Sequence, residues 1–262
     1  MGKKHRRMHD THEEAHEELS FLHGRPLIPS WWRKADTYQR KYDAAIDFAK
    51  VVMVDAEAGT GKTTIAVKKG LEYLSKGLVS CIAYIRYVDG RTMKLGALPG
   101  SLGEKEHGFM YPFYEALEEC GLSEEQILEL QAKKLIEAST DIFWRGRNMK
   151  DTFLIIDECQ NGSIEDMQLI LTRLHDAGKG LAIGHSAQVD RKLPRYGPDK
   201  LLPFQVYQLH MAKKPWTKLI HLENNYRGEI SQWADKVKLT IQELEDAANE
   251  NKKELPKPTK LQ

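Results

Sequence analysis

The 262-residue chain has little that would staple, anchor or strongly charge it. It holds three cysteines, Cys81, Cys120 and Cys159, an odd number with no CxxC pair. That argues against both a disulfide framework and a cysteine zinc site. No run of about eighteen apolar residues occurs, so no segment reads as a membrane span. Lys+Arg 39 against Asp+Glu 38 leaves a formal net charge of +1. Bulk polycation behaviour is excluded, and any contact with nucleic acid has to come from a local patch. The opening MGKKHRRMHDTHEEAHEEL is basic and then acidic, with no apolar stretch behind the charges. A secretory signal is not expected, and the expected compartment is the cytoplasm. What is present is material for a globular core: 30.0 kDa, 41% hydrophobic residues and a mean hydropathy of -0.55. A chain of this length should bury roughly three quarters of its unfolded surface.

Five of the ten histidines fall before the break at Gly24, Pro26 and Pro29, and residues 1–30 read as a polar, His-rich appendage. From there to about 248, apolar strand-like runs alternate with helix-like ones, the pattern of a mostly parallel α/β sheet with helices on both faces. Strands are expected at 50–55 (KVVMVD), 79–85 (VSCIAYI), 152–156 (TFLII), 180–184 (GLAIG) and 217–222 (TKLIHL). Helices are expected at 63–75, with Ile65, Val67, Leu71 and Leu74 on one stripe, and at 164–174, with Met167, Ile170, Leu171 and Leu174. A helical insertion spans about 91–147, with helices at 111–120 and 123–139, and a closing helix covers 231–248. The charged, proline-interrupted stretch 249–262 is expected to be disordered.

The string Ala56-Glu57-Ala58-Gly59-Thr60-Gly61-Lys62-Thr63 follows an apolar strand and opens a helix, the context a phosphate-binding loop needs. Gly59 and Gly61 let the backbone wrap close to a phosphate, and the amides and helix N-terminus supply fixed positive potential. Lys62 adds a point charge near the β and γ phosphates, and Thr63 is the Mg²⁺ ligand expected at this position. Ala58, Gly59, Thr60, Gly61, Lys62, Thr63 and Thr64 are the nucleotide-binding candidates. About ninety residues downstream, Phe153-Leu154-Ile155-Ile156-Asp157-Glu158 is an apolar strand ending in adjacent carboxylates. In an open parallel sheet ligands sit beyond the strand C-termini, so Asp157 can hold Mg²⁺ while Glu158 takes a proton from the attacking water.

With both elements in place, residues 37–236 resemble the PhoH-like family, phosphate-starvation-inducible P-loop ATPases related to superfamily 1 helicases. The resemblance rests on TYQRKY, AEAGTGKT, the block IRYVDGRTMKLGALPGSLGEKEHGFMYPFYEAL, FWRGRNMKDTFLIIDECQN, EDMQLILTRL and GHSAQVDRKLP. It implies a RecA-like P-loop NTPase core using ATP and Mg²⁺. It also implies coupling to single-stranded nucleic acid, RNA before DNA, RNA helicase activity, and a homo-oligomer with a hexameric ring as one form. Carried over by residue, Gln39 matches the glutamine that reads the adenine edge. Gln160 and Gln188 match polar sensors of the γ-phosphate, and Arg227 a late arginine neutralising transition-state charge. Arg86, Arg145 and Arg147 match arginines near nucleic acid or a neighbouring subunit. Three positions depart from the family pattern: Ala56 for the first loop glycine, Cys159 for a small residue and His185 for an aspartate.

His12-Glu13-Glu14-Ala15-His16 fits H-E-x-x-H, but in a polar tail without an apolar helix face it reads as a chance match. Adventitious metal contact by His5, His9, His12 and His16 is the expectation there. Trp31, Trp32, Trp144, Trp216 and Trp233 are read as core or interface residues, with Trp144 beside Arg145 as a stacking candidate. Two other functions stay open beside ATP hydrolysis. A small-molecule P-loop kinase would use the same loop, and a nucleotide-gated RNA-binding switch would bind without appreciable turnover.

Overall fold

The computed structural model describes residues 20–24, 26–88, 108–141 and 149–253. Arg145, Arg147, Trp144, the H-E-x-x-H string and the LPG block lie outside them. The chain divides into two compact units, the first ending at Glu223 and the second beginning at Asn224.

In the first unit, in chain order, lie α1 (Ser20–Gly24), α2 (Thr37–Phe48), β1 (Val51–Ala56), α3 (Lys62–Ser75), β2 (Cys81–Arg86), α4 (Tyr111–Glu119) and α5 (Glu124–Ala132). They continue with β3 (Ile136–Thr140), β4 (Thr152–Asp157), α6 (Ile164–Leu171), β5 (Lys179–Gly184), α7 (Pro203–Met211) and β6 (Thr217–Leu222). The six strands form one sheet in the order β3-β2-β4-β5-β1-β6. Every pairing is parallel. This is the α/β architecture that the alternation predicts.

The inner strands are apolar on both faces because both faces are covered. Val52, Val54, Tyr84, Phe153, Ile155 and Ile183 join Tyr42 and Ile46 of α2, the apolar stripe of α3, and α4 and α5 in one core. Val51, Met53, Ile85, Leu154, Ile156 and Ala182 join Met167 and Ile170 of α6 and Phe204 of α7 in the other. Leu22 of α1 and Leu27 are buried in the first core, so the ordered fold reaches back past residue 30.

The expected helix 123–139 is instead two elements. Ser123 caps α5 and Lys133 ends it. Lys134 then takes φ 58, a left-handed turn made without glycine. The alternating Ile136-Glu137-Ala138-Ser139-Thr140 can therefore pair along β2, with Ile82 opposite Ile136. In the second unit the closing helix is likewise two, α8 (Glu229–Asp235) and α9 (Val237–Lys253), so helix extends into the stretch expected to be irregular.

A nearly buried ion cluster joins α2 to α3. Lys69 Nζ lies 2.8 Å from Asp47, 3.1 Å from Glu72 and 3.6 Å from Asp43, and Lys68 Nζ is 2.7 Å from Asp43. Burial alone would lower the Lys69 pKa, but Asp47, Asp43 and Glu72 outweigh it and leave it raised. Burial would raise the Glu72 carboxyl, but Lys76, Lys69 and Lys68 outweigh it and leave it lowered. Lys69→Met removes the lysine on Asp47 and leaves Asp43 and Glu72 to Lys68 and Lys76, and should cost about 2–3 kcal/mol in urea unfolding. A raised lysine stabilises below its unfolded pKa and a lowered carboxyl above its own. The stability gap between wild type and variant should therefore be flat near neutral pH. It should narrow as pH falls below the ordinary glutamate pKa toward the folded value of Glu72.

Candidate functional site

Parallel strands all point their C-termini to one edge, and the described site candidates of the first unit gather there. β1 ends at Ala56, paired opposite Leu222 of β6 and 1% exposed. Residue 56 is extended strand, so a methyl group is accommodated where the family pattern has glycine. The following loop turns on Gly59 at φ 79 and Gly61 at φ 80, both left-handed. Gly61 is the N-cap of α3, so the helix's first amides open onto the loop. The Thr60 hydroxyl donates to Glu57 O at 3.1 Å and Lys62 Nζ donates to the same carbonyl at 3.0 Å. Ala58, Thr63 and Thr64 are partly buried along this turn.

Gln39 reaches the loop from the first turn of α2. Its amide nitrogen donates to Thr60 O at 3.0 Å, while its amide oxygen accepts the Asp36 N–H at 3.1 Å. The second bond completes a capping box with the Asp36 carboxylate, which accepts the Gln39 N–H. At 3% exposure, this side chain is built into the loop's scaffold.

Asp157 ends β4, with one strand, β5, between it and the loop strand. Its Oδ2 accepts from the Tyr84 hydroxyl at 2.6 Å and from the Thr63 hydroxyl at 3.5 Å, and its Oδ1 accepts the Glu158 N–H at 2.9 Å. Tyr84 is wholly buried and stacks on Phe113 with ring centroids 4.8 Å apart. Burial first, then the Asp157 charge, holds its hydroxyl well above the usual pKa, so it remains a donor. A hydroxyl and a carboxylate meeting across the sheet edge are hard oxygen donors of the kind Mg²⁺ takes, with water and phosphate completing its shell.

Glu158 takes φ 57, a strained conformation for a non-glycine residue that redirects the chain out of β4. Its Oε1 accepts from Arg86 Nη2 at 3.3 Å and its Oε2 from Gln160 Nε2 at 2.5 Å. Arg86 also donates to Phe109 O at 3.0 Å. Gln160, 2% exposed, spans two strands, because its amide oxygen accepts the His185 N–H at 2.9 Å just past β5. Burial and the neighbouring Asp157 raise the Glu158 carboxyl above its ordinary pKa against the opposing effects of Arg86, Gln160 and Lys62. A carboxylate so tuned is a better proton acceptor than an exposed one.

The turn after β5 is tied down on both sides. Ser186 N–H and hydroxyl both donate to the Asp55 carboxylate. Asp190 N–H donates to Asn161 Oδ1 at 3.0 Å, and Arg191 donates to Asn161 O at 2.8 Å. His185 is buried and Gln188 is exposed on this turn, its N–H donating to His185 O at 2.9 Å. Arg227 belongs to the second unit, where its N–H donates to Asn225 Oδ1. Sequence reasoning missed Tyr84, Asp55, Ser186 and Asn161. Asn161 stands in the quoted QN string, but nothing local distinguishes Tyr84 from a core aromatic. Among the described residues, no group of three or more His, Cys, Asp or Glu side chains could hold a metal, and no helix is long and apolar enough to cross a membrane.

The PhoH-like protein family profile matches residues 33–224. Over 152 residues the chain is 36% identical to a PhoH-like protein of Mycobacterium leprae, covering 58% of this chain and 43% of that protein. It is 35% identical over 152 residues to a PhoH-like protein of Bacillus subtilis, covering 58% and 47% respectively. It is 32% identical over 158 residues to Protein PhoH of Escherichia coli K12, covering 60% and 44%. The match therefore spans less than half the length of these relatives. Among solved structures, the Pyrococcus furiosus Hef helicase domain aligns with a TM-score of 0.38 and 13% identity, over 75% of this chain and 40% of that one.

Gly184 is where the Gln160 bridge is most exposed to perturbation. A Cβ there would lie 2.9 Å from Gln160 Oε1 and from Phe204 Cε1, and 3.1 Å from Gln160 N. Gly184→Ala should therefore destabilise the fold by about 1–3 kcal/mol, measured by urea unfolding. Unchanged stability would show that the bridge relaxes without cost.

Proposed function

Since the chain belongs to the PhoH-like protein family, we propose that it binds ATP with Mg²⁺ at this edge and hydrolyses it to ADP and phosphate in the cytoplasm. Turnover is coupled to single-stranded nucleic acid, RNA in preference to DNA, and RNA strand separation follows where copies assemble, a hexameric ring being the form the resemblance suggests. The observation that carries the reading is the contact of the Thr63 hydroxyl, directly after the glycine loop, with the Asp157 carboxylate, across 94 residues of chain. A loop suited to phosphate and a carboxylate pair at the same sheet edge, with one strand between them, are the two halves of a phosphoryl-transfer site.

The division of labour follows from the chemistry of each group. The loop amides, the α3 N-terminus and Lys62 bind the phosphate chain. Thr63 and Asp157 would hold Mg²⁺, which when bound neutralises charge on the β and γ oxygens. Tyr84 keeps Asp157 oriented by donating to it. Glu158 takes a proton from a water aligned with the terminal phosphorus, and Arg86 and Gln160 hold its carboxylate in place. To Gln188, on the β5 turn, we assign a sensor role for the terminal phosphate, and the family resemblance gives Arg227, in the second unit, the role of neutralising transition-state charge. Arg145 and Arg147 contact nucleic acid or a neighbouring copy. Arg86, whose guanidinium is spent on Glu158 and Phe109 O, connects any such contact to the base.

That last contact also favours a second reading. With both Glu158 oxygens already bonded, the described state resembles a resting one, as a nucleotide-gated switch would require. Phosphate release with ATP and Mg²⁺, with and without single-stranded RNA or DNA, separates the readings. Stimulation by RNA, with Glu158→Gln retaining nucleotide binding but losing roughly two to four orders of magnitude in turnover, is the expected result. Slow release indifferent to both polymers supports the switch, and phosphate appearing on an acceptor molecule supports a kinase.

A further inference from the structure

The phosphate chain of a bound nucleotide has two ends, and the site gives them different surroundings. The terminal phosphate lies toward Asp157 and Glu158, which stand beyond β5 on one side of β1. The nucleoside must therefore leave the loop on the other flank, toward β6, against which α2 packs. The side chains meeting the loop on that flank come from the segment leading into α2. A Cβ built on Gly61 would lie 3.1 Å from Trp31 Cη2, 3.4 Å from Trp31 Cζ2 and 3.2 Å from Gln39 Nε2. The six-membered ring of Trp31 thus fills the space beside Gly61 that a β-carbon there would need.

This indole is firmly held yet not enclosed. Trp31 is partly exposed, and it meets Trp32 edge to face, with centroids 6.0 Å apart and planes at 61°. Trp32 is in turn fixed by two cations, Lys68 Nζ 4.3 Å and Arg40 Cζ 5.6 Å from its ring centroid. Arg40 also donates to the carbonyls of Trp32, Arg33 and Ala35, closing the turn that carries both tryptophans. Gln39, by contrast, has its amide oxygen on Asp36 N–H and its amide nitrogen on Thr60 O, and is 3% exposed. The flank offers an incoming base an aromatic surface, while the nearby amide is already engaged.

Resting on the phosphate-loop reading above, the geometry points to Trp31 as the nucleobase platform of this site. We propose that purine nucleotides are held by stacking on Trp31 rather than by Gln39 reading the base edge. Trp31 stands just before the residues matched to the family, 33–224.

The test is calorimetric titration of the full chain with ADP, GDP and inorganic tripolyphosphate, which carries no base. Trp31→Ala should weaken ADP and GDP binding on the order of ten- to a hundredfold, the range of base–aromatic stacking. Tripolyphosphate affinity should stay within about threefold, which also reports that the loop of the variant is folded. Trp31→Phe should restore ADP binding to within about fivefold of wild type. Equal loss of ADP and tripolyphosphate would make Trp31 a mere prop for the loop and overturn the proposal, as would no loss of either. Wild-type discrimination between ADP and GDP beyond about thirtyfold would overturn recognition by the ring face. Failure of the phosphate-loop reading looks different: tripolyphosphate would not bind wild type, Lys62→Ala would not alter ADP binding, and the stacking proposal would fall with it.

Discussion

Parallel pairing of β2, β4, β5 and β1 is the constraint on which the rest of the first unit depends. Arg86 lies opposite Asp157, Ile156 opposite Ala182, and Asp55 opposite Gly184, so the C-termini of the four strands fall within two residues of one level. Each strand then delivers a different chemical group to the same edge. β1 leads into the glycine loop, β5 into His185 and Ser186, β4 into the carboxylates, and β2 into Arg86. A shift of one residue in β2 would exchange the side chains it gives to the two cores and put a neighbour in the place of Tyr84. The two cores therefore specify the register, and the register assembles the site.

The cost of burying Asp157 explains much of what surrounds it. A carboxylate at 3% exposure needs donors on its lone pairs, and the structure supplies the Tyr84 hydroxyl, the Thr63 hydroxyl and the Glu158 N–H. Glu158 solves the same problem differently, with one charged partner, Arg86, and one neutral partner, Gln160. Arg86 and Gln160 connect it to separate elements: Arg86 to the carbonyl preceding α4, Gln160 to the backbone after β5. A displacement at either place reaches the proposed base through a single side chain. Two carboxylates in sequence thus sit in different settings, which fits the proposed division between a metal ligand and a proton acceptor.

How much of this was legible in the sequence depended on how local the signal was. The loop, its strand and the carboxylate strand are contiguous strings with fixed residue types, and all appear where their patterns placed them. β3 was hidden because Lys134 makes a left-handed turn that no glycine advertises. The Tyr84–Asp157 and Arg86–Glu158 contacts join residues 73 and 72 positions apart, so nothing short of the sheet order reveals them. Tyr84 in particular reads as one more aromatic in an apolar strand until Asp157 is placed against its hydroxyl. The departure at Ala56 also needed structure to interpret. The position is extended strand, and the left-handed turns that require glycine fall on Gly59 and Gly61.

On the approach to the loop, a helix cap is continuous with the proposed binding site. Asp36 caps α2, and the reciprocal half of that cap is Gln39, whose other end holds Thr60. The same helix carries Asp43 and Asp47, whose pairing with Lys68 and Lys69 fixes α2 against α3. Lys68 then lies over Trp32, and Trp32 braces Trp31. One chain of contacts therefore runs from the cap of α2, through the buried ions, to the ring resting on Gly61. Each link has its own stabilising role: a satisfied helix terminus, a neutralised buried charge, a covered indole. Because the rotamers along this path are set by packing before any ligand arrives, little conformational freedom is left for a bound base to remove. Rigidity of that kind suits a platform that recognises a ring by its face, since stacking needs a flat surface held still rather than a particular donor and acceptor.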